Sequence, residues 1–118
     1  MLERGSPGNI HEILLIHASL YVLADKWAVD GMKRLSLFKL HKSLTLLELN
    51  AGTVPDIVGL VRYVYSDEIA ALDELRDLMC HFVLANATVM SEDVLFRELL
   101  KEGGAFALDS WKYSVLNR

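Results

Sequence analysis

The sequence predicts an all-α domain of five to six helices in antiparallel hairpins, with no sheet. Three observations carry this. Every long segment repeats its apolar residues at the i, i+3/i+4 spacing of a helix. No stretch alternates as a strand does, and even the β-branched run from Leu60 to Tyr65 keeps helical spacing. The gaps between periodic segments are short and hold the residues that stop and start helices, such as Asp30-Gly31, Asn50-Ala51-Gly52 and Gly103-Gly104.

The first periodic segment runs from Ile10 to about Trp27. Ile13, His17, Leu20, Ala24 and Trp27 make one line, and Leu15, Ala18 and Val22 make a second on another face. A helix apolar on most sides is buried on most sides. Asp30 is the expected N-cap of the second helix, Met32 to Leu47. Its apolar face is Leu37, Leu40, Leu44 and Leu47 with His41, and Lys33, Arg34, Lys39 and Lys42 make the rest basic. Asn50 to Gly52 supplies residues that accept a left-handed stop.

Thr53-Val54-Pro55-Asp56 reads as the start of a third helix. A capping hydroxyl is followed by a proline whose missing N–H does no harm there, and by a carboxylate at the positive end of the dipole. Ile57, Leu60, Val61 and Val64 give its core stripe. The fourth helix, about Ala71 to Ala87, has Leu75, Met79, Phe82, Val83 and Asn86 on one face. Ser91-Glu92-Asp93 opens a fifth with Leu95, Phe96, Leu99 and Leu100, and Phe106 to about Leu116 closes the domain. Residues 1–9 lack periodicity and read as a disordered lead.

Composition narrows function. The 118 residues hold 12 Lys plus Arg against 16 Asp plus Glu, a net charge of −4, so a nucleic-acid backbone is not the expected partner. The imbalance falls after residue 50: the first fifty residues carry six basic and five acidic side chains, the remainder six and eleven. The basic face of the second helix therefore reads as a solvated face. No apolar run approaches the ~20 residues of a membrane span, so no membrane is expected. One cysteine, Cys80, excludes an internal disulfide and a cysteine-based zinc cluster. It fits a reducing compartment, and the expected location is intracellular, nuclear or cytoplasmic.

Chemistry-bearing patterns are absent. No HExxH occurs, His11 and His17 are too far apart in phase to share a ligand, and the adjacent Cys80 and His81 point apart. Gly103-Gly104 follows a helix and reads as its C-cap, not as a phosphate loop. Carboxylate runs such as Asp73-Glu74 with Asp77, and Glu92-Asp93, sit at helix starts, where the dipole explains them. The expectation is a non-enzyme with no catalytic residue, metal or cofactor.

The remaining signal is surplus apolar surface. Hydrophobic residues are 53% of the chain and mean hydropathy is +0.28, high for a domain this small. That points to a protein-binding or self-associating module, with a homo-oligomer expected. The alternative is an independent helical bundle with a small-molecule or catalytic pocket.

One family resemblance supports the first reading. Ala24-Asp25-Lys26-Trp27, the turn at Val29 to Gly31, and Met32-Lys33-Arg34-Leu35 resemble the segment that closes a BTB/POZ domain. Asp56-Ile57-Val58 through Tyr65, Leu75-Arg76-Asp77-Leu78 through Asn86, Phe96-Arg97-Glu98-Leu99-Leu100, and Gly103-Gly104-Ala105-Phe106-Ala107 are similar to the helices that follow it in fungal-type members. The likeness covers about residues 10 to 112. Nothing here matches the N-terminal β-sheet part of such proteins. The resemblance implies that 10–50 is the closing helix pair and 51–118 a post-BTB helical extension continuous with it. It also implies adaptor work, by self-association and by contact with partners such as a cullin scaffold of a ubiquitin ligase, or in transcription. Trp27 is expected to be buried, anchoring the first helix on the second near Leu35. Leu15, Ala18 and Val22 are expected to face a second copy.

Overall fold

The computed structural model describes residues 7–116. Among them are seven helices and no strand. They are α1 (Pro7–Lys26), α2 (Asp30–Leu46), α3 (Val54–Val64), α4 (Asp73–Ala85), α5 (Ala87–Met90), α6 (Val94–Lys101) and α7 (Gly104–Leu116). The all-α expectation holds. The single turn α5 is an addition. Pro7, Gly8 and Asn9, read from sequence as part of a disordered lead, belong to α1; residues 1–6 of that lead, with Asn117 and Arg118, lie outside the described residues.

α3 is the hub. Val54, Ile57, Val58, Leu60, Val61 and Val64 are all buried, so more than half of this short helix is core. α1 and α6 both pack against it. Gly59 lets α1 come close: a Cβ there would stand 3.0 Å from His11 Cε1. α4 joins the core through Leu75, Met79, Cys80 and Val83, and α7 packs along α4. The buried set is continuous across the molecule, from Leu14 of α1 to Phe106 of α7.

Helix ends show which local signals acted. Asp93 caps α6, its carboxylate accepting from the N–H groups of Leu95 at 2.8 Å and Phe96 at 3.3 Å. Gly103 and Gly104 both take left-handed φ and end α6 as expected. Three other caps differ from the sequence reading. α2 starts at Asp30 itself, after Val29, without a side-chain cap. Thr53 makes no capping bond to α3; its hydroxyl donates back to the Glu48 carbonyl and accepts from Asn50 N–H, each at 2.9 Å. Gly52 is not left-handed; the Asn50 side chain makes the turn by accepting from Gly52 N–H at 2.8 Å. At Asn50 and Thr53, bonds within the turn itself engage the side chains that sequence rules assign to helix ends.

Polar bonds fix the helices in place. The Tyr21 hydroxyl donates to Glu74 at 2.9 Å, joining α1 to α4. The Tyr65 hydroxyl, just past α3, donates to Asp109 of α7 at 2.7 Å, with Cys80 Sγ 3.3 Å away. Arg76 lies over the Tyr65 ring and Phe106 meets its edge. Arg62 of α3 forms two parallel bonds of 2.8 Å with Glu102 after α6.

Candidate functional site

α1 carries more large apolar side chains than its inner face can hold. Leu14, Ala18, Tyr21 and Ala24 form the buried ridge. Two of these four are alanines, which let neighbouring helices approach closely. Tyr21 fills the space between them and satisfies its hydroxyl on Glu74. The opposite side presents Ile13, Ile16, Leu20, Leu23 and Trp27, spaced three or four apart and 37% to 67% exposed.

The turn at the end of α1 brings a second stripe beside it. Val29 N–H donates to the Ala24 carbonyl at 2.9 Å and Ala28 N–H to Asp25 at 3.2 Å, with Ala28 left-handed at φ 56°. This is a Schellman-type stop. It sends α2 back antiparallel to α1. Lys33 reaches Asp25 at 2.7 Å near the turn, and Ile13 shares a shallow hollow with Leu46 and Leu47 at the far end. His17 and Lys39 are neighbours midway, and burial first, then the Lys39 charge, hold His17 below the usual histidine range. Val29, Met32, Leu35 and Leu46 are all exposed along this edge. The result is one outer apolar face spread over both helices. Lys39 interrupts the α2 part of this face, seven residues from both Met32 and Leu46, and Lys42 is exposed four residues before Leu46.

This placement corrects the sequence reading. Ala18 is fully buried, and Leu15 and Val22 are half-buried against the core, so that line is an inner face and not a free one. Ile13, Leu20 and Trp27, read as inward, point out. Trp27 is 67% exposed and does not anchor α1 on α2. Of the Ala24-Asp25-Lys26-Trp27 turn, Ala24 is buried, Asp25 pairs with Lys33, and Lys26 and Trp27 face solvent. Ile16, Leu23 and Leu46 were not singled out from sequence. The usable signal was Tyr21: an aromatic with a polar tip between two alanines marks the inner side.

Groups with chemical potential are otherwise engaged. Cys80 is buried, and burial pushes its thiol up, away from the reactive thiolate. Burial and the bonds to Cys80 and Asp109 drive the Tyr65 phenol far above its ordinary range. Among the described residues no three His, Cys, Asp or Glu side chains converge as a metal site, and no helix is long and apolar enough to cross a membrane. A hollow of about 540 Å³ lies between α2, α4 and α7. Comparison with known proteins found no matching family model, no similar curated protein and no similar solved structure.

Proposed function

We propose that this chain is a non-catalytic protein-interaction module that self-associates through the outer face of the α1–α2 hairpin. One observation carries the reading: nine large apolar residues, Ile13, Ile16, Leu20, Leu23, Trp27, Val29, Met32, Leu35 and Leu46, are 37% to 73% exposed on that hairpin. Their joint exposed surface is on the order of 800 Å², what each partner brings to a standard interface. A monomer seldom leaves more than about 600 Å² of contiguous apolar surface bare. A self-complementary patch is satisfied most simply by a second copy around a two-fold axis. The α1 stripe then forms the dry centre with Trp27 as an aromatic anchor, and Lys39 and Lys42 mark a more polar α2 side of the interface.

The resemblance to the C-terminal helices of BTB/POZ adaptors supports the same class of function, since such proteins self-associate and present partners to a scaffold such as a cullin. The engaged state of Cys80 and Tyr65 also favours binding over catalysis.

Light scattering on the full chain at micromolar concentration tests this. The expected mass is twice 13.3 kDa. Ile16→Asp and Leu23→Asp should each restore the single-chain mass with an unchanged circular dichroism spectrum. A folded wild type that runs as a single chain overturns the proposal.

A further inference from the structure

The flank of α2 opposite the apolar face borders a trough. Its middle is the hollow of about 540 Å³, with Leu37, Leu44, Leu78 and Phe82 as an apolar floor. A second hollow of about 470 Å³ shares Leu37, His41 and Glu74 with it and extends to Asp30. A third of similar size shares His81, Ala85 and Tyr113 and extends to Ser114. The three therefore adjoin one another. Between Asp30 and Thr45 the trough follows α2 for about 20 Å at 1.5 Å per residue, the length of three to four helical turns. Phe38, 60% exposed, stands at the rim.

The charge on this trough has one sign at its centre. Glu74 and Asp77 stand one turn apart on α4, and among the described residues no Lys or Arg lines the middle hollow. The one lysine of the adjoining hollow, Lys33, is held by Asp25. Arg34 also lines that hollow, one turn before Leu37 and outside the middle hollow. His41 and His81 line the same walls, and His81 Nδ1 lies 3.2 Å from the Tyr113 hydroxyl.

We propose that this trough receives an amphipathic helix from a different protein, with leucine-like anchors on one side and lysines or arginines flanking them. The apolar floor fits anchors spaced i, i+3/i+4 and i+7. Glu74 and Asp77 select a basic polar face and repel phosphate. A small molecule would fill only the middle hollow, whereas a helix uses the whole length. The site does not depend on self-association: it lies on the other flank of α2, so both surfaces can be occupied together.

The probes are fluorescent helical peptides of about fourteen residues. One has Leu on one face and Lys on the rest, a second has Glu for Lys, and a third scrambles the Leu/Lys composition so that no face exists. Fluorescence anisotropy with the full chain should show saturable micromolar binding of the Leu/Lys helix, weakened by salt. The Glu and scrambled peptides should bind about tenfold more weakly or worse. Asp77→Lys, and Ala85→Trp, which fills the trough, should each cost about tenfold, a loss of one charge contact or of one anchor. Glu92→Lys changes net charge equally away from the trough and should leave affinity within about twofold. The proposal is overturned by equal binding of the Glu or scrambled peptide. It is also overturned if Asp77→Lys and Ala85→Trp are both silent, or if Glu92→Lys weakens binding as much. Loss of peptide binding in Leu23→Asp would place the peptide on the self-association face and overturn the trough alone, while the mass measurement judges that face separately.

Discussion

α1 and α3 are similarly apolar helices with opposite fates. α3 spends its apolar residues inward: six of its eleven residues are buried, and Arg62 takes the solvent side with its bond to Glu102. From Ile10 onward α1 buries four residues and leaves five large ones bare. The difference lies in arrangement. α3 has a polar gap that orients it, whereas the apolar residues of α1 surround it. Apolar content with a polar gap builds a core; apolar content without one builds a core and a surplus. The surplus is a candidate for binding because it contributes nothing to the fold in isolation.

Core truncation should break this contrast most strongly if it is wrong. Leu60→Ala on α3 removes a fully buried side chain at the hub, and should cost about 2–5 kcal/mol. Leu23→Ala on α1, 47% exposed, should cost under about 1 kcal/mol in dilute solution, where association does not contribute. Urea unfolding of both variants measures the gap. Similar losses would mean that the outer face of α1 is covered within the monomer.

Two tyrosines, Tyr21 buried and Tyr65 half-buried, sharpen the comparison at the next level. Each ties its helix to a distant one through a carboxylate. Tyr65→Phe strands Asp109, which is partly buried, and removes the oxygen beside Cys80. It should cost about 1–2 kcal/mol. Tyr21→Phe strands Glu74, which is exposed and readily rehydrated, and should cost less, about 0.5–1 kcal/mol. Thermal melts of both variants test the order. The reverse order would mean that α1 is docked more firmly than α3 is locked to α7.

Signals confined to a few adjacent residues were legible in the sequence. The Asp93 cap, the Gly103-Gly104 stop and the core stripe of α3 all follow from local chemistry. The inner side of α1 did not, because two apolar lines flank the true ridge and periodicity alone cannot choose between faces. Ala18 and Ala24 are inside because small side chains admit a neighbouring helix, which is a tertiary fact. The trough was equally hidden. Glu74 and Asp77 read as ordinary first-turn carboxylates of α4, and only the packing of α2 and α7 around that helix sets them opposite His41 and Tyr113. Asn50 was read as part of a left-handed stop and Thr53 as a cap; both side chains instead bond within the turn, where several backbone partners are in reach.

The smallest effect concerns the turn that creates the outer face. Ala28 sits at φ 56°, among the described residues the one non-glycine in the left-handed region. That conformation crowds a Cβ against the following carbonyl, at a cost of roughly 1–2 kcal/mol. Glycine avoids the clash but loses more backbone freedom on folding, which offsets part of the gain. Ala28→Gly should therefore stabilise the fold by about 0.5–1 kcal/mol. The Val29-to-Ala24 and Ala28-to-Asp25 bonds would remain, so α1 and α2 would keep their angle and the apolar stripes their alignment. The same substitution inside a regular helix would cost about 1 kcal/mol instead. The sign of the change in urea midpoint thus reports the conformation of one residue. A destabilised Ala28→Gly would mean that α1 continues through Ala28, which would swing α2 away and split the outer face in two.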